Sequence, residues 1–269
     1  MSGVVIVTKF SIAWKGALPS KAWIDYRFDL LKRTALPSLR QQTVRDLVWV
    51  IRTAPEWYTY VTSLFQQVEL PCGSIKVLPH QPGLGVKLED LADIHPDHEG
   101  FFITVPLDSD DALSRQAIER IVVASANVNG PTLFNLPSGV QLNWTTGELF
   151  YLTFRPHFQG PFRAIKNIQR ETMLRGWGHH HTVRERLPMM IEVPGLNWLQ
   201  VIHGKNLSNR IEYKRLVGPL RQMASRVLGP KFSSVDVSPV PDDRRQALLA
   251  EFGLSPLYKT SSVTLNGTT

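Results

Sequence analysis

Apolar and polar residues alternate along the first half of the chain in a way that predicts strands and helices in turn. Short apolar runs predict buried strands at residues 4–7, 47–51, 74–78 and 101–107. Helical spacing of apolar residues, or a proline near the first turn, predicts helices at residues 22–34, 36–39, 55–67 and 88–94. Strands that alternate with helices are typical of an α/β fold with a mostly parallel, doubly wound sheet.

The pattern changes after residue 126. Short strands separated by turns are predicted at residues 132–136, 141–144 and 149–154, where antiparallel pairing fits. Beyond them the sequence predicts a helix at 163–174, a strand at 198–203 and a helix at 208–227. We therefore expect one domain over residues 1–232, with a first half to about 126 and a smaller mixed or antiparallel half from about 127. For residues 233–269 we expect a C-terminal extension with an amphipathic patch at 244–252 and a disordered last dozen residues.

An acidic cluster follows the fourth predicted strand. Asp108, Ser109, Asp110 and Asp111 bring three carboxylates to one point, where they repel each other unless a cation is bound. Oxygen-rich clusters favour hard divalent ions such as Mg²⁺ or Mn²⁺. The carboxyl ends of strands in open α/β sheets are also where ligands bind. A structural alternative is that Ser109 or Asp110 caps a helix over residues 112–126.

Composition and charge narrow the class of protein. The 269-residue chain is 43% hydrophobic and carries a net charge of +7. Its single cysteine, Cys72, excludes an internal disulfide framework and a cysteine-based zinc site. No apolar run is long enough to span a bilayer and the N-terminus lacks a signal-peptide pattern, so we expect a cytoplasmic protein with peripheral membrane contact as an option. Residues 155–231 hold fourteen Lys or Arg against four Glu, a basic surface that could attract nucleotide phosphates, nucleic acid or anionic lipid.

Several strings in the chain are typical of one enzyme family. They are Leu36-Pro37-Ser38-Leu39, Leu107 to Ala112, Asn135-Leu136-Pro137-Ser138-Gly139, and Trp198 to Gly204 with Asn206 and Asn209. Together with the order of elements, they resemble the rhamnosyltransferase family of glycosyltransferases with the GT-A fold, from about residue 4 to residue 230. The family label is a poor guide to the sugar that is transferred.

The resemblance implies a metal-dependent sugar transfer from a nucleotide-sugar donor to an acceptor hydroxyl on a surface glycan or its precursor. Asp108 and Asp110 match the carboxylates that hold Mn²⁺ or Mg²⁺ against the donor diphosphate, and His203 matches a late histidine that completes the metal shell. A hydrogen-bonded core histidine is the alternative for His203. Donor contacts are expected from Thr8, Phe10, Arg52, Lys87, Asp108, Ser109 and Asp111. Arg52 departs from the acidic residue that many GT-A enzymes have after the second strand, and it cannot accept hydrogen bonds from a ribose.

An inverting transferase needs a general base for the acceptor hydroxyl. The candidates are His181 (with His179 and His180 beside it), Glu171 and Glu185, although the histidines could also belong to a plain polar loop or a transition-metal site. A retaining mechanism needs no such base, and the sequence does not decide between the two.

Three other functions fit parts of the sequence. The acceptor could be a hydroxylated base in DNA, which the basic surface favours slightly. The chain could be a non-catalytic module that binds sugar or nucleic acid. A nucleotidyltransferase would use similar carboxylates but would need a nucleoside triphosphate.

Overall fold

The computed structural model describes residues 3–13, 16–81, 86, 89–91, 102–154, 163–167, 189–204, 206 and 235–254. A seven-stranded sheet forms the centre of the described chain. Its strands are β1 (Gly3–Ser11), β2 (Leu47–Thr53), β3 (Gly73–Pro79), β4 (Phe102–Pro106), β6 (Thr132–Asn135), β9 (Arg163–Asn167) and β10 (Met189–Glu192). Their spatial order is β10-β6-β9-β4-β1-β2-β3. β1 pairs in parallel with both β2 and β4, and β3 extends the parallel part beyond β2. The predicted α/β fold with a mostly parallel sheet is therefore confirmed.

A second, five-stranded sheet contains the remaining strands. They are β5 (Ala112–Leu113), β7 (Ser138–Asn143), β8 (Leu149–Phe154), β11 (Leu196–Ile202) and β12 (Val235–Pro239). The order is β12-β8-β7-β11-β5, with antiparallel pairs except between β7 and β11. This is the smaller, mixed sheet that the sequence predicted, although β6 belongs to the central sheet instead.

Five α-helices are present in the described ranges. They are α1 (Lys21–Arg33), α2 (Ala35–Arg40), α3 (Tyr58–Phe65), α4 (Ala117–Ser125) and α5 (Arg245–Glu251). Single 3₁₀ turns occupy Pro55–Trp57, Glu89–Leu91 and Asp242–Arg244. Helix α1 begins where the Ser20 hydroxyl accepts a hydrogen bond from the Trp23 amide at 3.2 Å. Its apolar face, including Ile24 and Leu31, is buried in the main core together with Trp49.

The predicted helix over residues 112–126 is wrong at its start. Ala112 and Leu113 form β5, which pairs with Leu199 and Trp198 of β11, and the helix begins only at Ala117. Both β5 residues are completely buried. Pairing with a distant strand has overridden the helical pattern at this point.

The predicted helix over residues 163–174 is also wrong where it can be compared. Residues 163–167 form β9, which lies between β4 and β6 and runs antiparallel to both. Ala164 and Ile165 are buried in the sheet. The rest of this predicted helix, and the one over residues 208–227, lie outside the described residues.

The C-terminal extension contains an unpredicted strand. β12 pairs with β8 along its length, and Val240 donates to the Leu149 carbonyl at 2.9 Å. The predicted amphipathic patch forms α5, whose Leu248 and Leu249 pack with Val140 and Leu199 of the second sheet. Residues 235–254 are therefore part of the second sheet and its core.

The two sheets meet at the acidic cluster. The chain leaves the central sheet at the end of β4, turns through residues 108–111 and enters the second sheet as β5. Because β5 pairs antiparallel with β11, the end of β11 returns towards the same turn. This topology brings His203 close to Asp110 although the two lie 93 residues apart in sequence.

Candidate active site

Residues 108–111 form a tight turn with differently placed carboxyl groups. The Asp111 amide donates to the Asp108 carbonyl at 3.1 Å. Asp108 is exposed, whereas Asp110 and Asp111 are buried, at 5% and 2% exposure. Ser109 is buried and its carbonyl accepts a hydrogen bond from the Thr34 hydroxyl at 3.4 Å. The turn is thus held in place by hydrogen bonds at Ser109 and Asp111, and it is exposed to solvent at Asp108.

Asp110 is the centre of a dense polar cluster. The Arg27 guanidinium contacts both of its oxygens, with Nη1 to Oδ2 and Nη2 to Oδ1 at 2.8 Å each. Nε2 of His203 lies 3.0 Å from Oδ2, and the Asn206 side-chain amide donates to the same oxygen at 3.1 Å. Burial opposes ionisation of Asp110, but the hydrogen bond from His203 and the nearby Arg27 charge hold its pKa below the ordinary value.

Arg27 reaches this cluster from α1 and is mostly covered. Its side chain is 13% exposed, against 6% for Asp110. Nη2 also donates to the Ser109 hydroxyl at 2.5 Å, and Nη1 lies 3.4 Å from Nε2 of His203. Two-point pairing of this kind uses the planar fork of the guanidinium and fixes its orientation.

His203 is buried and has hydrogen-bonding partners at both ring nitrogens and at its backbone amide. Its side chain has no exposed surface, and its Nδ1 lies 2.9 Å from the Tyr26 hydroxyl. The His203 amide donates to Oδ1 of Asn206 at 2.7 Å. Gly204 follows with φ of +77°, a left-handed conformation that lets the backbone turn sharply after β11.

Asp111 and Asp108 have different surroundings. Asp111 Oδ1 accepts a hydrogen bond from the Val201 amide at 3.0 Å, which joins the turn to β11. Loss of hydration, followed by repulsion from Asp110 and Asp108, raises the pKa of Asp111 well above its ordinary value. Loss of hydration, followed by the Asp110 charge, also raises the pKa of Asp108, although the residue as a whole is exposed.

Two residues expected to bind the donor lie inside the protein core. The Thr8 hydroxyl is completely buried, donates to the Leu107 carbonyl at 2.7 Å and accepts from Trp49 Nε1 at 2.9 Å. Phe10 is 5% exposed and packs edge-on against Phe28 and Phe65. These contacts support packing roles for Thr8 and Phe10 rather than contact with a donor.

Arg52 lies at the carboxyl end of β2. It is 3% exposed, and Nη2 donates to the Gln81 carbonyl at 3.3 Å. Burial lowers the pKa of its guanidinium. Lys87, Glu171, His181 and Glu185 lie outside the described residues, as do His179 and His180, so their roles stay predictions.

Sequence reasoning missed three members of the cluster. Tyr26 and Arg27 lie within the helix predicted over residues 22–34, where nothing in the pattern distinguishes them, and Asn206 stands only within a family string. The tight packing of Arg27 and Tyr26 against residues 83 and 177 positions away leaves no local pattern in the sequence. For Asn206, its position two residues after the Trp198–Gly204 string is the one available signal.

The mostly parallel central sheet, the smaller mixed sheet and the acidic turn between them agree with the fold expected from the family strings. The family described as "Putative rhamnosyl transferase" matches residues 13–215. The chain therefore belongs to this family and is a glycosyltransferase. A sequence search of curated proteins finds no match.

Solved structures similar to this chain are distant. TarS (residues 1–349) of S. aureus in complex with UDP-GlcNAc is 12% identical, with 94% of this chain and 71% of that chain covered and a TM-score of 0.40. Rv0371C of Mycobacterium tuberculosis in complex with manganese is 16% identical, with 80% and 98% covered and a TM-score of 0.38. The inositol-1-phosphate CTP transferase from T. maritima is 14% identical, with 77% and 92% covered and a TM-score of 0.37. Likenesses at this level do not bear on the ligands of this chain.

In the described part of the chain, no helix combines the length and the apolar character that crossing a bilayer requires. The same residues include no group of three His, Cys, Asp or Glu side chains arranged to bind a metal ion.

Proposed function

We propose that this glycosyltransferase moves a sugar from a nucleotide-sugar donor to an acceptor hydroxyl of a glycan or glycan precursor, with the help of a divalent metal ion. The observation that carries the proposal is the meeting of Asp110 and His203 at the junction of the two sheets, 3.0 Å apart. Asp108, two residues before Asp110, is exposed. The cytoplasmic location expected from the sequence stays a prediction.

The residues around Asp110 fit a Mg²⁺ or Mn²⁺ ion. Neighbouring ligand atoms in an octahedral shell of about 2.1 Å radius are about 3 Å apart, which is the separation of Asp110 Oδ2 and His203 Nε2. A carboxylate oxygen and an imidazole nitrogen are both suitable ligands for Mn²⁺. Mg²⁺ in nucleotide enzymes uses one or two carboxylates together with phosphate oxygens and water, so a complete protein cage of three side chains is not needed.

Each residue of the cluster has a separate task in the proposed reaction. Asp110 and His203 would hold the ion, and Asp108 faces the solvent side, where a donor could approach. When bound, the metal would neutralise the negative charge that develops on the departing diphosphate. Asn206 and Tyr26 keep Asp110 and His203 in position through hydrogen bonds of 3.1 and 2.9 Å.

The residues expected to act on the acceptor, and so to decide between an inverting and a retaining transfer, lie outside the described ranges. Glu171, His181 and Glu185 remain the candidates for a general base. A DNA acceptor stays an alternative from the sequence, and no contact among the described residues favours it.

The proposal is tested by donor binding and turnover. We expect one of the UDP-, GDP-, dTDP- or CMP-sugars to raise the melting temperature in the presence of Mn²⁺ and to lose most of that effect with EDTA. The same donor should then be transferred or hydrolysed. Asp110→Asn should reduce turnover by at least about a hundredfold, because it weakens the carboxylate ligand that would hold the ion against the departing diphosphate.

A matched control is available on the protein surface. Asp242 is 88% exposed and pairs with Arg245, so Asp242→Asn removes a carboxylate far less involved in packing. This variant should keep full turnover. Full turnover of wild-type protein in EDTA would overturn the metal dependence, and full turnover of a folded Asp110→Asn variant would overturn the placement of the site.

A further inference from the structure

Arg27 contacts both side chains that would hold a metal ion at Asp110 and His203. Its Nη1 lies 2.8 Å from Asp110 Oδ2 and 3.4 Å from His203 Nε2. Its Nη2 occupies the other oxygen of Asp110 at 2.8 Å. A positively charged group of the protein itself therefore contacts both carboxylate oxygens of the proposed cation site.

A guanidinium and a divalent cation compete for the same partners there. Both need the Asp110 carboxylate, and both are repelled by the other at contact distance. The repulsion is weakly screened, because the side chains of Arg27 and Asp110 are only 13% and 6% exposed. The ion cannot bind to Asp110 in full while Arg27 keeps both of its hydrogen bonds.

Arg27 is better held in this position than an ordinary surface arginine. It bonds Asp110 at two points and the Ser109 hydroxyl at a third. By contrast, Arg33 on the same helix is 64% exposed and lies 3.5 Å from Asp29. The site at Asp110 is therefore charge-balanced without any ion, and a cation must displace a bound group to enter.

We propose that Arg27 is a built-in competitor that keeps free divalent cations weakly bound at Asp110 until the nucleotide-sugar donor arrives. The inference rests on the proposed function, because it assumes that Asp110 and His203 hold the metal with the donor. Once displaced from Asp110, the Arg27 guanidinium needs another anion, and the donor diphosphate supplies one. Metal and donor then bind with positive coupling, since each favours the state in which Arg27 has left Asp110.

The test is a titration of Mn²⁺ into the purified full-length protein without nucleotide, followed by the electron paramagnetic resonance signal of free Mn²⁺. We expect Arg27→Gln to bind Mn²⁺ at least about tenfold more tightly than wild type, which corresponds to about 1.4 kcal/mol. Arg33→Gln, which removes the same charge from the same helix, should leave the affinity close to wild type. Adding Asp110→Asn to Arg27→Gln should abolish the gain, which locates the ion.

A second variant guards against a folding defect in Arg27→Gln. Arg27→Lys keeps the charge but loses the two-point geometry, so its Mn²⁺ affinity should rise above wild type by a smaller factor. Equal affinity in wild type, Arg27→Gln and Arg27→Lys would overturn the competition, as would a gain of the same size in Arg33→Gln.

The coupling is measured by repeating the titration with UDP, GDP and dTDP. For at least one of them, wild type should gain more Mn²⁺ affinity than Arg27→Gln does, and equal gains would overturn the coupling. Failure of the proposed function looks different. If neither wild type nor any Arg27 variant binds Mn²⁺ with or without nucleotide while turnover persists in EDTA, the metal dependence itself falls, and the competition with it.

Discussion

The phenolic oxygen of Tyr26 lies 2.9 Å from Nδ1 of His203, and this contact leaves the other ring nitrogen facing Asp110. A hydroxyl group can donate or accept, so Tyr26 can hold the imidazole in the same orientation in either neutral tautomer. One of these tautomers has a lone pair on Nε2 that is available to a metal ion. Tyr26 therefore acts on the site through His203.

Removal of this hydroxyl should weaken the site without unfolding the protein. We expect Tyr26→Phe to reduce Mn²⁺ affinity or turnover by about tenfold to a hundredfold, the usual effect of losing a partner that orients a metal ligand. Steady-state kinetics at several Mn²⁺ concentrations would measure it. Tyr60→Phe is the matched control, because the Tyr60 hydroxyl contacts Lys21 and Asp25 at the exposed part of α1. Identical kinetics in the two variants would contradict the role of Tyr26.

Asp108 and Asp110 should differ in their effect on stability. Asp110→Ala leaves the mostly buried Arg27 without its carboxylate partner, and we expect the free energy of unfolding to fall by about 3 kcal/mol. Asp108→Ala removes an exposed group and should change it by no more than about 0.5 kcal/mol. Urea unfolding of both variants measures the difference. Equal losses would show that Arg27 does not depend on Asp110, whatever either variant does to turnover.

The central strands could be predicted from the sequence because side chains on both faces of the central sheet are buried. In β1 and β2, consecutive residues such as Val4, Val5, Val48 and Trp49 are all buried, so the strands read as unbroken apolar runs. β12 is not evident from the sequence, because it contains only two apolar residues besides its proline and is mostly exposed. Its position is set by pairing with β8. Local pattern carries little information about such an edge strand.

The candidate site was predictable only where the acidic residues are adjacent in sequence. Asp108 and Asp110 stand together after a recognisable strand, and His203 directly follows another. Arg27 belongs to an ordinary amphipathic helix, and its pairing with Asp110 depends on how α1 packs against a turn 83 residues later. The sequence alone therefore does not reveal that the Arg27 guanidinium pairs with Asp110, because the contact exists only once α1 and the turn are packed together.

His80 should make stability depend on pH between about 4 and 6.5. Burial, followed by the Arg52 and Lys9 charges, lowers the pKa of His80 to about 4, from 6.5 for the unfolded chain. Since the unfolded state binds a proton more readily, neutral His80 contributes its full share to the free energy of unfolding above pH 6.5, and this contribution is lost as the pH falls to about 4. Residue 80 cannot titrate in His80→Gln. As the pH falls from 6.5 to 4, the free energy of unfolding of this variant should therefore rise steadily relative to that of wild type. Urea unfolding at a series of pH values tests this, and a constant difference between the proteins would contradict it.

Gly139 is a close-packing position where an added side chain should be destabilising. A Cβ at this residue would come within 2.0 Å of Cδ2 of Trp198, whose buried indole donates to the Leu136 carbonyl at 2.8 Å. We expect Gly139→Ala to lower the free energy of unfolding by about 1–3 kcal/mol, through overpacking between β7 and β11.

A double-mutant cycle separates this clash from other effects of the alanine. Trp198→Phe alone should be destabilising, because it removes the bulk of the indole and its hydrogen bond to Leu136. Combined with Gly139→Ala, the smaller ring makes room for the new methyl group, so the double variant should be more stable than the sum of the single losses by about 0.5–3 kcal/mol. Strict additivity would mean that the methyl group and the indole do not compete for the same space, and that the close approach of β7 and β11 at Gly139 is not what this glycine provides.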